Sequence, residues 1–156
     1  MTIEDDIAFL ERVPSFSILG RDALRILAIG AENKYVHSGE VLFTAGEAAD
    51  AGYVVQDGSF RLTADSREAN PTSIMATRGA LLGELALLTA TTRPVTATAA
   101  EPSTVIRVPR SLFLKMLEGY PDAARRMRDH IAARTDEAAR DMINVRSTLD
   151  PRPPRR

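Results

Sequence analysis

Residues 83–99 read GELALLTATTRPVTATA, and the rest of the 156-residue chain is read from this stretch. It opens on Gly83-Glu84, runs through an apolar turn, and carries one cation, Arg93, just ahead of a β-branched run. Glycine at 83 lets the backbone approach a ligand closely, and residues 84–88 are good helix formers whose first turn directs N–H groups outward. A helix start of this kind attracts an anion. Arg93 adds a planar, permanently charged fork suited to a phosphate. Glu84 at the same mouth repels a second anion and accepts hydrogen bonds from sugar hydroxyls. The combination asks for a ligand with one phosphate and one ribose. Taken singly, Arg93 reads as a surface arginine and Glu84 as a helix-start acid favoured by the macrodipole, so the functional reading rests on their joint spacing.

Outward from this stretch the texture is β. From Glu32 onward, short alternating runs are separated by turns at Ser38-Gly39, Ala45-Gly46 and Asp57-Gly58, the signature of an all-β sandwich or barrel. Asp57-Gly58, flanked by the runs 53–56 and 59–63, predicts a tight type I′ hairpin. Residues 64–73 are polar and read as a loop, with a strand resuming over 74–76. Residues 94–99 and 104–108 read as two more strands joined at Glu101-Pro102-Ser103.

At the N-terminus, Ile3, Ile7, Leu10 and Val13 recur at helical spacing up to Pro14, with Phe16 and Leu19 anchoring the bend to the core. A second short helix follows over 21–28, between Gly20 and Gly30. Toward the C-terminus, Pro109 suits the first helical position, Leu112, Phe113, Met116 and Leu117 form an apolar stripe, and Gly119 ends it. No proline or glycine interrupts residues 122–149, which predicts a long helix. In heptads this helix aligns Ala124, Ile131, Ala138 and Val145, beside Arg128, Thr135, Met142 and Leu149. Two readings are open: a homodimer seam, or a stripe packed back on its own barrel. The expected fold is mainly β with flanking helices, an antiparallel, jelly-roll-like β-roll with short N-terminal helices and a long C-terminal helix. As one domain it divides into a helical segment 1–30, a roll 31–108 with its cassette at 83–96, helices over 109–149 and a disordered basic tail 150–156.

Gly83-Glu84-Leu85-Ala86-Leu87 followed by Arg93-Pro94-Val95-Thr96 resembles the phosphate-binding cassette of the cyclic nucleotide-binding domain. That module is shared by catabolite activator proteins, protein kinase A regulatory subunits and cyclic-nucleotide-gated channels. Upstream, Gly39-Glu40-Val41-Leu42-Phe43, Gly46-Glu47 and Tyr53-Val54-Val55-Gln56-Asp57-Gly58 are similar to the family's glycine-punctuated strands, so the resemblance spans roughly residues 10–140. It implies that Glu84 binds the ribose 2′-hydroxyl and Arg93 the cyclic phosphate, with the amides near Gly83 and Leu85 completing a cradle that Ala86, Pro94, Val95 and Thr96 adjoin. The implied ligand is cAMP or cGMP, acting as a regulator in place of any cofactor. The hydroxyl pair with which catabolite activators contact adenine falls on Ala138 and Ala139, which neither donate nor accept through their side chains. Arg134 or Thr135, about one turn earlier, are the available substitutes for base contact. The resemblance further implies that ligand binding switches the C-terminal helix and presents a new surface to an effector protein. The chain ends in PRPPRR where related transcription factors continue into a helix-turn-helix domain, so direct DNA binding is not expected. Two alternatives stand beside this reading: a ligand-free interaction or dimerisation scaffold of the same fold, and a truncated transcription regulator.

Composition narrows the remaining classes. Apolar residues at 44% and charged residues at 26% fit a globular chain able to bury a core. No run of eighteen apolar residues is present and the start, MTIEDDIAFL, is acidic, so no membrane span or signal peptide is expected and the expected compartment is the cytoplasm. The absence of cysteine excludes disulfides and thiolate-held iron–sulfur clusters. Net charge is −1, with an acidic N-terminal part and a C-terminal part whose bases are interleaved with acids, as on a solvated helix face. His37 and His130, the two histidines, have no second ligand at metal spacing and read as solvent or core residues. Nucleophile elbows, HExxH and Walker loops are missing, so catalysis is not expected.

Overall fold

The computed structural model describes residues 2–64 and 73–133. Helix α1 (Ile3–Glu11) starts at a capping box in which the Asp5 amide donates to Thr2 Oγ1 at 3.1 Å and the Thr2 amide to Asp5 Oδ2 at 3.2 Å. A bend carrying Phe16 and Leu19, both buried, leads to α2 (Arg21–Gly30). Ten strands follow among the described residues: β1 (Glu32–Val36), β2 (Val41–Phe43), β3 (Ala48–Ala49), β4 (Ala51–Asp57), β5 (Ser59–Ala64), β6 (Ser73–Thr77), β7 (Leu81–Leu82), β8 (Thr91–Thr92), β9 (Val95–Ala99) and β10 (Ser103–Pro109). A single 3-10 turn (Leu85–Leu87) lies between β7 and β8, and α3 (Arg110–Gly119) is followed by α4, helical from 121 to 133. Pro109 caps α3 from the end of β10, one residue short of the first helical position expected for it.

The strands form two four-stranded sheets, β1-β10-β4-β7 and β2-β9-β5-β6, with β3-β8 as a separate pair, and every pairing is antiparallel. This is the expected β-roll with flanking helices. The period-2 geometry of β4 and β10 divides their side chains between two cores. Val54, Ile106 and Val108 face the helices, joining Ile7, Leu10, Phe16, Leu24, Phe113 and Met116. Tyr53, Val55 and Val105 face the inside of the roll with Val36, Phe43, Phe60 and Ala97. The first sheet is therefore covered on both faces, which is why residues 51–55 of β4 are all buried.

One turn differs from its sequence reading. Asp57-Gly58 is not a type I′ hairpin: β4 and β5 belong to different sheets, and Gly58 alone takes a positive φ, +87°, where a type I′ turn needs two. The dipeptide is a corner at which the chain changes sheets. A Cβ at Gly58 would fall 2.1 Å from Ser103 Oγ, the hydroxyl that accepts the Ser59 amide at 3.1 Å. Ser103 belongs to the opposite corner, Glu101-Pro102-Ser103, where β9 passes over to β10. Tertiary packing at this corner overrides the local hairpin signal. The loop expected over 64–73 lies, for 65–72, outside the described residues, as does the long helix beyond 133.

Within α4 the core-facing line is Ala123 and Met127, both buried. The heptad lines read from the sequence lie beside it: Ala124 and Ile131 are half-buried and Arg128 is exposed. Arg126 ties the same helix to the N-terminal bend by donating to the carbonyls of Ile18 and Leu19.

Candidate functional site

Residues 81–96 build the site from very short elements. Gly83, at φ +83°, turns the chain out of β7 into the 3-10 segment, whose Leu87 packs on β4 at Gly52. A side chain at Gly52 would meet Leu87 Cγ at 3.0 Å. Arg93 follows β8, and its backbone is held by two bonds to the opposite turn, from its own amide to Glu47 O and from the Gly46 amide to Arg93 O, each 2.8 Å.

The Arg93 side chain turns into the roll. It is only 5% exposed, and its guanidinium carbon lies 4.4 Å from the centre of the Phe43 ring and 5.4 Å from that of Tyr53. Nη1 is buried with no hydrogen-bond partner among the described residues. A Cβ on residue 83 would approach this nitrogen to 2.5 Å, so glycine is required there for the cation to occupy its place as well as for φ. Burial pulls the Arg93 pKa below its ordinary value, and the fields of Tyr53, Asp50 and Glu47 recover only part of that shift.

Glu84 borders two cavities. One, about 260 Å³, is lined by Ala49, Gly83, Glu84, Leu85, Ala86, Thr91, Thr92, Arg93 and Pro94. The other, about 460 Å³, lies between Pro14, Ser15, the turn 79–81, Glu84 and His130. Glu84 Oε2 accepts a hydrogen bond from Ser15 Oγ, which ties the carboxylate to the N-terminal bend. The smaller cavity is the one that matters for an anion, because Arg93 lines it and does not line the larger one.

Of the residues singled out from sequence, Gly83, Glu84, Leu85, Ala86, Arg93 and Pro94 come together on this cavity. Val95 and Thr96 are not among its lining residues. Val95 packs against the core inside the roll, and Thr96 Oγ1 accepts the Ala45 amide at 2.9 Å. Arg134, Thr135, Ala138 and Ala139 lie outside the described residues. Three wall residues went unread in the sequence, Ala49, Thr91 and Thr92, because two-residue strands carry too little pattern to register. Arg110 was also unread: its Nη1 donates to the carbonyls of Ala49 at 2.9 Å, Thr89 at 3.0 Å and Ala86 at 3.3 Å.

Chemically, the cavity offers a desolvated cation with an unmatched donor, a carboxylate at its edge, and walls of alanine, proline, leucine and threonine. That set suits a compact monoanion carrying a hydroxyl group. No group of three or more potential metal-ligating side chains occurs among the described residues, and no helix there is long and apolar enough to cross a membrane.

A family model described as "Cyclic nucleotide-binding domain" matches residues 33–120. The chain is 33% identical over 101 residues to lysophospholipase nte1 of Neurospora crassa, a match that takes in 64% of this chain and 7% of that protein. It thus spans about 7% of the length of that curated relative. Among solved structures, a cyclic nucleotide-binding-like protein from Brucella abortus superposes with a TM-score of 0.65 at 38% identity, covering 73% of this chain and 98% of that one. The N-terminal domain of a transcriptional regulator from Streptomyces coelicolor has the same fold, with a TM-score of 0.78 at 24% identity over 86% of this chain and 94% of that one.

Proposed function

The chain belongs to the cyclic nucleotide-binding domain family, and from that premise we propose that it is a non-catalytic regulatory sensor for cAMP or cGMP. The observation that carries this reading is Arg93 Nη1, a buried cationic donor lining a small cavity and lacking a partner among the described residues. A buried charged donor without an acceptor is costly, and a cyclic phosphate entering the cavity supplies one. The ribose 2′-hydroxyl then donates to Glu84, whose carboxylate already accepts from Ser15.

The reading of this domain as a switch draws support from the same bond. Ser15 belongs to the bend that Arg126 of α4 holds by the carbonyls of Ile18 and Leu19, so a change in Glu84's partners is felt at the base of the C-terminal helix. Nucleotide that prefers one arrangement of bend and helix shifts the population toward it, and an effector protein that reads the helix surface responds.

Isothermal titration of the wild type and Arg93→Ala with cAMP and with cGMP tests the assignment. Loss of one charge-assisted contact of about 1.5–3 kcal/mol weakens binding by roughly tenfold to a hundredfold. Equal affinity in the two proteins removes Arg93 from the phosphate site.

A further inference from the structure

Resting on the reading of this cavity as a nucleotide site, the structure assigns Arg110 the role of a positioning residue that sets the width of the cavity without touching the ligand. The walls need such a support. On one side is β3, on the other β8 and the 3-10 turn, and β3 and β8 pair only as Ala48 with Thr92 and Ala49 with Thr91. A two-residue ladder is far below what stands alone, and one 3-10 turn has no length over which to propagate.

Arg110 reaches β3 and the segment 86–89 that leads into β8 from a firm base. It opens α3 directly after β10, a strand bonded along both edges, and its own amide donates to Asp50 O at 2.8 Å. Its half-buried guanidinium then meets the carbonyl of Ala49 on one wall and those of Ala86 and Thr89 on the other. Ala49 and Ala86 both line the cavity. The carbonyls of Ala86 and Thr89 lie at the end of the 3-10 turn, where a helix leaves its acceptors without internal donors, and a cation there satisfies them. One side chain thus helps fix the distance between two walls that otherwise share a two-residue ladder and the two backbone bonds of Arg93 to the turn at Gly46-Glu47. Without it those carbonyls turn to water, the walls separate, and Glu84 and Arg93 no longer converge on one ligand. A lysine supplies a point charge but not a planar fork, and replaces only part of the arrangement.

The test uses the full chain as wild type, Arg110→Lys and Arg110→Met. Amide hydrogen exchange of the nucleotide-free proteins compares residues 83–89 with the internal reference strands β4 and β10, and calorimetry with cAMP and cGMP measures affinity. In Arg110→Met, exchange over 83–89 rises about tenfold or more while β4 and β10 keep their protection, and nucleotide binding weakens by about tenfold or more. Arg110→Lys falls between on both readouts, a graded rescue that general destabilisation does not produce. Unchanged exchange over 83–89 in Arg110→Met overturns the inference, as does a loosened cassette that binds as tightly as wild type. If Arg110→Met fails to fold, Arg110→Lys decides: faster exchange confined to 83–89 supports the role, and wild-type protection there overturns it. If wild type binds neither nucleotide, the receptor reading fails separately and the exchange data alone decide whether Arg110 holds the walls.

Discussion

In the proposed reading, Arg93 serves a ligand more than the stability of the free protein. Its buried Nη1 lacks an acceptor among the described residues, a deficit of about 1–3 kcal/mol or more for a charged group, against which the contacts with the Phe43 and Tyr53 rings return about 0.5–2 kcal/mol. Methionine fills the same space, keeps contact with the rings and removes the unmatched charge. Arg93→Met is therefore expected to melt at the same temperature as the wild type or higher while losing nucleotide affinity. A loss of more than about 1 kcal/mol in thermal unfolding would assign the residue to stability instead. Gly58 is the contrasting case, required by the fold alone. Its φ is +87° and an added methyl would come within 2.7 Å of the Ser103 backbone as well as its side chain, so neither partner yields easily. Gly58→Ala is expected to cost about 2 kcal/mol or more in urea unfolding, through strain at a positive φ and a displaced corner.

At the scale of the elements, the helices are more than a frame. Phe16 of the N-terminal bend and Phe113 of α3 are fully buried with stacked rings 6.0 Å apart, in the core that also receives Val54, Ile106 and Val108 from the sheet. Truncating an aromatic in such a place costs about 3–5 kcal/mol, a large part of the roughly 5–15 kcal/mol that holds a domain together. Phe113→Ala is expected to lower the urea midpoint accordingly, and a change under about 1 kcal/mol would mean that this core relaxes around the gap. The surface ion pairs of Glu4 with Arg21 and Arg25, at 3.0 and 2.9 Å, contribute little by comparison because all three side chains are about half exposed.

For the whole molecule, the first sheet stands between two cores, so the roll interior and the helical layer share β4 and β10 as a common wall. A ligand bound to Arg93, whose guanidinium packs on Phe43 and Tyr53 of the roll interior, therefore stabilises the folded chain as a whole. At a hundred times its dissociation constant, a nucleotide that binds only the native state adds about 2.7 kcal/mol, which raises the melting temperature by about 5–10 °C for a chain of this size. Thermal unfolding with cAMP and with cGMP measures this. A shift with one and not the other identifies the base preferred, and no shift with either favours the alternative of a scaffold that has kept the fold without the ligand.

The sequence by itself determined the kind of the longer elements and the residue types of the cassette. Period-2 runs between glycine turns, helical spacing around Ile7, Leu10 and Phe113, and a lone arginine nine positions after Gly-Glu are all local patterns, set by backbone preference and side-chain type. Only the tertiary structure decided which sheet each strand joins and which distant groups meet. Asp57-Gly58 has hairpin residues, yet it forms a corner because Ser103, 44 residues from its neighbour Ser59, occupies the space beside it. Likewise no local pattern announces that Arg110 reaches three carbonyls, two of them more than twenty residues away and one more than sixty, or that Ser15 reaches Glu84. The physical reason is that φ preference, charge and hydropathy act over a few residues. Burial and hydrogen bonding across the chain depend on where the backbone has already been brought, and that is settled only when the two cores close on their shared sheet.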